Sequence, residues 1–229
     1  QVKLTDEGRK VVEFARAYVA AYETLKQDLH ATDPGELTGT IKLYSTVTAA
    51  YTFLPTLIKK FHHLYPQVKT YLETGSAQGA WDKLLKGEAD FAIAIRPTQP
   101  HGELSYKKIV ETPLVYLSPK SGLGKNVSDM PLIFPEKGEL SSLIDMYLKR
   151  NNLSLPVHSY VEGHEAILAM VASGLGSAIL PKIVIENSHL KRSVAVSELK
   201  PRLPRLEVGI FVRKKSLSSA PRAAFWAFV

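Results

Sequence analysis

The 229-residue chain contains no cysteine. Disulfides and cysteine-ligated metals are therefore excluded, and the absence is neutral about compartment. No apolar run approaches the ~20 residues of a membrane span. No basic–apolar signal peptide opens the chain. Catalytic signatures are missing too: there is no G-x-S-x-G elbow, no P-loop and no G-x-G-x-x-G. His62 and His63 are adjacent, so a helix would place them on different faces and not as the i, i+4 pair that holds zinc. His101 stands alone in a Pro/Gly-rich turn. No metal, no cofactor, no membrane contact and no catalysis are expected.

What is present supports a real core. Hydrophobic residues make up 45% of the chain, enough for one large or two small domains. The formal charge is +7, but Lys and Arg are spread along the chain. Charge alone therefore points to a soluble surface rather than to a nucleic-acid patch. The chain opens in mid-pattern, at Gln1-Val2-Lys3-Leu4, and is expected to be a fragment.

Residues Thr5 to His30 read as one long helix, with Thr5 as N-cap and Asp6 and Glu7 at its positive end. Leu4, Val11, Ala15, Tyr18, Tyr22, Leu25 and Leu29 are spaced 7, 4, 3, 4, 3 and 4. That is a heptad stripe, the seam of paired helices. Packing on the helix's own domain is the alternative. Pairing is favoured because the stretch 31–36, with Asp33-Pro34-Gly35, cuts the helix off from the first strand.

An alternating series follows. Thr40–Tyr44 reads as a strand, then a helix runs to Leu64 with Pro55 near its start or bending it. Val68–Glu73 reads as a strand, followed by a turn at 74–76 and a helix to Lys86 closed by Gly87. Phe91–Ile95 is a continuous apolar run, as in a strand covered on both faces. This order argues for a parallel sheet. A second α/β series comprises strands at 114–117, 132–134, 157–161, 177–180, 194–198 and 206–212. Its helices lie at 140–151, 165–173 and 220–228. Gly174-Leu175-Gly176 reads as a helix cap and tight turn.

Four loops follow strands, where open parallel sheets bind ligands. They are Ser45-Thr46-Val47-Thr48, Thr74-Gly75-Ser76-Ala77-Gln78, Arg96-Pro97 and Glu162-Gly163-His164-Glu165. One hydroxyl is enough to cap a helix, so the others are free for a ligand. Two helix N-termini beside one guanidinium would hold a small carboxylate. Each feature also has a plain structural use: Gly75 as a turn glycine, Arg96 as a surface charge, His164 as a first-turn residue.

The order of parts resembles the LysR-type transcriptional regulators. The resemblance rests on "LTDEG" before a long helix, then "GELTGTIKL", "LPTLIKKFHHLYPQV", "GEADFAIA" and "GLGSAILP", and it spans Leu4 to Val229. It implies a linker and dimerisation helix at 1–36, one regulatory lobe at 37–112 plus 207–229, and a second at 113–206. The implied fold is two Rossmann-like lobes with a ligand cleft between them, like a type 2 periplasmic binding protein. The family's winged helix-turn-helix is not in these residues, so DNA binding is implied only for a parent protein. "STVTAAYTFLP", "VEGHEAILAMVASGLGSAILP" and "IVIENS" look like one branch, activators of the acetohydroxy acid isomeroreductase gene in branched-chain amino acid synthesis. That branch implies a 2-hydroxy-3-keto acid, acetolactate or acetohydroxybutyrate, as effector. It also implies effector contacts at Ser45, Thr46, Thr48, Gly75, Ser76, Arg96 and His164, a homodimer or homotetramer, and a cytoplasmic protein. A transport-type solute-binding protein shares the two-lobe cleft and is the alternative.

Overall fold

The computed structural model describes residues 4–28, 36–98, 102–120, 130–136 and 138–229. Leu29, His30, the 31–35 connection and His101 lie outside the described residues. The chain divides into two compact units, one of Gln1–Ile41, Thr56–Tyr71 and Lys214–Val229, the other of Lys42–Pro55 and Leu72–Arg213.

The first unit contains the long helix α1, Asp6–Asp28. Thr5 caps it as expected: its hydroxyl accepts from the Gly8 N–H at 3.0 Å. Val11, Phe14, Tyr18, Val19, Tyr22 and Leu25 are all more than half exposed along α1. Phe14 stacks on Tyr18 with centroids 6.4 Å apart. The apolar face is thus broader than the heptad stripe, because Phe14 and Val19 widen it.

The rest of this unit is held by rings. Phe61, on the helix Leu54–Leu64, is fully buried. Its ring lies 4.9 Å from Tyr65, 4.9 Å from Phe225 and 5.6 Å from Phe228. Phe225 meets it edge-on, the arrangement ring quadrupoles prefer. His62 turns instead toward Thr70, with Nε2 3.4 Å from its hydroxyl.

The strands and helices run in chain order as follows. β1 is Gly39–Thr46, α2 Val47–Thr52, α3 Leu54–Leu64, β2 Val68–Gly75, α4 Ala77–Lys86 and β3 Phe91–Ile95. β4 is Leu104–Thr112, β5 Leu114–Pro119, β6 Leu132–Pro135, α5 Glu139–Arg150, β7 Val157–Val161 and α6 His164–Ala172. β8 is Ala178–Pro181, α7 Lys182–Glu186, β9 Val194–Glu198, β10 Leu206–Arg213 and α8 Ala220–Phe228. Short 3-10 helices occupy His189–Arg192 and Lys214–Ser218.

β3 runs parallel to β1 and antiparallel to β10 in a five-stranded sheet ordered β2-β1-β3-β10-β4. Four of its five residues are buried, as a strand covered on both faces requires. On one side Phe211 packs edge-on against Trp81 at 4.6 Å and beside Tyr106 at 4.8 Å. A second core gathers Leu117, Ile133, Ile144, Ile167, Val171 and Leu180. It lies among β5, antiparallel to both β8 and β9, and the parallel pair β6–β7. Leu132 bridges Ser177 through two 2.8 Å backbone bonds, which carries one sheet into the other.

Three expectations change. The helix expected to run to Leu64 is two helices, because the chain breaks at Phe53 and restarts with Pro55 in the first turn of α3. Proline is tolerated there, since first-turn N–H groups have no intrahelical acceptor. β4 has no counterpart among the expected strands. Lys107-Lys108 interrupts its alternation, as edge strands often do. α7 is an added short helix. Gly87 closes α4 at φ 78°, a left-handed position that favours glycine.

Phe61→Ala leaves a cavity among three rings and is expected to cost about 3–5 kcal/mol. Denaturant unfolding followed by circular dichroism measures it; a loss under 1 kcal/mol would show that the ring cluster is not a core.

Candidate functional site

The parallel register of β1 and β3, with Ser45 opposite Ile93, ends both strands at the same edge of the sheet. The loops after them are therefore neighbours. Ser45 is fully buried, and its hydroxyl donates to the Thr46 carbonyl at 2.9 Å. Thr46 is the N-cap of α2 by backbone geometry, yet its side chain makes no capping bond. Thr48 donates its hydroxyl to Glu165 Oε1 at 2.5 Å. α2 itself has only six residues, so its macrodipole is a weak attraction for an anion.

At the end of β2 the hydroxyl of Ser76 accepts from the Gly79 N–H at 3.1 Å, an ordinary N-cap. Gly75 is shaped by Tyr44. A Cβ at Gly75 would stand 2.0 Å from the phenol oxygen, and one at Gly79 2.5 Å from it. Tyr44 is buried, and burial first, then the charge of Glu73, raises its pKa above the usual phenol value; Lys83 opposes this, and Glu162 adds to it. Lys83 stands 5.8 Å over the Tyr44 ring and pairs with Glu73 at 2.7 Å.

Arg96 is engaged elsewhere. Its backbone N–H donates to the Glu207 carbonyl at 2.7 Å, and its guanidinium to Glu207 Oε2 at 2.9 Å. The guanidinium carbon lies 4.9 Å over the Tyr106 ring, whose hydroxyl donates to the same Oε2 at 3.1 Å. Burial and the Glu207 carboxylate push the Tyr106 phenol up to about 12. The side chain thus leans toward β10 and β4.

His164 begins α6 behind Gly163, whose φ is 94°. Burial holds its imidazole below the ordinary histidine range, against the opposing pull of Glu165. It is neutral at pH 7 and offers one donor and one acceptor, not a cation. The structure therefore brings Thr48 to the start of α6, and Gly75 and Ser76 to Tyr44. It holds Arg96 in a pair with Glu207 and keeps Ser45 within the strand. Glu165 was missed as a partner for Thr48, because nothing local in "EGHE" marks which residue turns inward. Among the described residues no group of three or more His, Cys, Asp or Glu side chains could hold a metal ion. The surroundings supply hydroxyl and imidazole hydrogen bonds beside carboxylates, a set suited to reading a small polar molecule.

Gly75→Ala drives a methyl into the Tyr44 hydroxyl and is expected to destabilise by about 1–3 kcal/mol, the range of overpacking. Tyr44→Phe removes that oxygen and should restore most of the loss in the double variant. Thermal melts of the four proteins test this; equal losses in both backgrounds would rule out the contact.

Residues 34–229 match the LysR substrate binding domain. The chain is 32% identical over 237 residues to the HTH-type transcriptional regulator IlvY of Escherichia coli, covering 98% of this chain and 80% of that protein. It is 32% identical over 239 residues to the transcriptional activator IlvY of Haemophilus influenzae, covering 100% and 82%. Among solved structures, the effector binding domain of QuiR in complex with shikimate superposes with a TM-score of 0.73 at 20% identity. That match covers 83% of this chain and 95% of that one. The mixed α/β architecture and these matches agree, and the chain belongs to the LysR-type transcriptional regulators.

Proposed function

We propose that the chain is the effector-sensing and oligomerisation part of an activator of branched-chain amino acid biosynthesis genes. Its effector is a small 2-hydroxy-3-keto carboxylate, acetolactate or acetohydroxybutyrate. Residues 37–112 with 207–229 form one lobe and 113–206 the other, with the effector at the strand ends between β1, β2 and α6. The likeness to IlvY supports the effector class. QuiR, of the same fold, is seen with shikimate, also a hydroxylated carboxylate.

The observation that carries the reading is Thr46. It stands at the carboxyl end of a parallel strand with a hydroxyl that caps nothing. Open α/β sheets bind ligands at that end. Ser76 caps α4 at the end of β2, and His164 opens α6, whose Glu165 is reached by Thr48. Arg96 is paired with Glu207 beside the end of β3.

Thr46→Val keeps the shape and deletes the hydroxyl. A hydrogen bond to a charged ligand is worth about 1.5–3 kcal/mol, so affinity for acetolactate should fall about tenfold or more. The melting temperature of the free protein should hardly move, since no cap is lost. Calorimetric titration and a melt decide the matter; unchanged affinity with an earlier melt would make Thr46 a structural residue.

Self-association is assigned to α1. Its apolar face, from Val11 to Leu25, is more contiguous hydrophobic surface than a monomer usually leaves in water. Tyr18→Glu with Tyr22→Glu places like charges along that seam. Sedimentation should show a smaller species with helix content unchanged. An unaltered sedimentation profile would move the interface elsewhere.

A further inference from the structure

The bond between Thr48 and Glu165 joins the segment after β1 to the first turn of α6, at 2.5 Å. A hydroxyl that donates to a carboxylate makes a stronger bond than one between neutral groups. The first turn of a nine-residue helix also favours a carboxylate. A second bond of the same kind lies beside it in the topology. Thr98, beyond the end of β3, gives its backbone N–H to Glu139 Oε1 at 2.9 Å and its hydroxyl to the same oxygen. Glu139 is the first residue of α5.

The arrangement is regular. β1 and β3 are parallel, and each is followed by a threonine. β6 and β7 are parallel, and each is followed by a helix with a glutamate in its first turn. The carboxyl ends of the two strand pairs are clasped by two Thr–Glu bonds. The ligand crevice of an open α/β sheet lies at such ends.

We propose that Glu165 is an internal competitor for the effector: in the free protein its carboxylate holds the Thr48 hydroxyl, and an anionic effector binds by displacing it. The proposal rests on the effector reading above. Both carboxylates want the same donor, and they repel each other at close range. Among the described residues, neither the nearby imidazole nor the nearby lysine relieves the conflict. His164 is neutral, and Lys83 is held by Glu73. Effector entry therefore releases α6 from α2 while the Thr98–Glu139 clasp stays closed. Occupancy of the site thereby frees the first turn of α6 from α2, while Ile167, Leu168 and Val171 keep the helix in its core.

The test is calorimetric titration of 2-acetolactate into the parent protein, Glu165→Gln and Glu186→Gln. Glu165→Gln keeps the side-chain shape and removes the competing charge, and should bind about tenfold more tightly. Glu186→Gln removes a charge from a surface pair with Lys182, and should bind like the parent, which controls for net charge. If the parent binds and Glu165→Gln binds equally or more weakly, the competition is overturned while the effector reading stands. If neither binds, both are overturned. If only Glu165→Gln binds, the clasp is stronger than drawn here and the proposal is upheld. Should Glu165→Gln fail to fold, Glu165→Asp withdraws the carboxylate from Thr48 by one methylene. Tighter binding than the parent then supports the clasp, and equal or weaker binding overturns it.

Discussion

The burial of β3 on both faces is the constraint from which the site follows. Phe91, Ala92, Ile93 and Ala94 have no exposed surface. Such a strand must have a neighbour on each edge to satisfy its backbone groups. β1 takes one edge in parallel and β10 the other in antiparallel. The parallel side brings Thr46 and Thr48 next to the loop that holds Thr98. The antiparallel side brings Glu207 against Arg96 and pairs that guanidinium with a carboxylate. One strand's desolvation thus decides which polar groups meet.

The electrostatics of the site run against the charge of the whole. The chain carries +7 overall, yet the groups gathered around Tyr44, Thr48 and α6 include Glu73, Glu162 and Glu165. Lys83, over the Tyr44 ring, is held by Glu73. Net charge is a property of the outer surface, where Lys and Arg remain solvated at little cost. A cleft sees only its own lining.

Much of the fold is legible in local pattern. Phe91–Ile95, Val157–Val161, Val194–Glu198 and Ala220–Phe228 form the expected elements because their composition and punctuation agree with their surroundings. Gly87 marks its helix end for the same reason. The break at Phe53 and the edge strand β4 are harder, since a proline has two outcomes and paired lysines hide an alternation. The site is least legible. That Gly75 yields to the Tyr44 hydroxyl, that Arg96 belongs to Glu207, and that Thr48 belongs to Glu165 are facts about residues far apart in sequence. Spacing and propensity carry no signal for such pairs. The resemblance to a known family names residues but carries none of these pairings.

β10 lies between β3 and β4, although the whole of β5 to β9 intervenes in the chain. Val208 cannot meet Ile95 until that length has been made. At translation speeds of about 5–20 residues per second, β3 leaves the ribosome and waits roughly ten seconds for its second neighbour. During that interval its apolar edge is an open template for other strands. The loop to be closed is long, and long-range pairing is the slow step of sheet formation. The newborn chain therefore passes through a stage in which its most hydrophobic strand is half unpartnered. That exposure during synthesis is a consequence of where one strand was inserted.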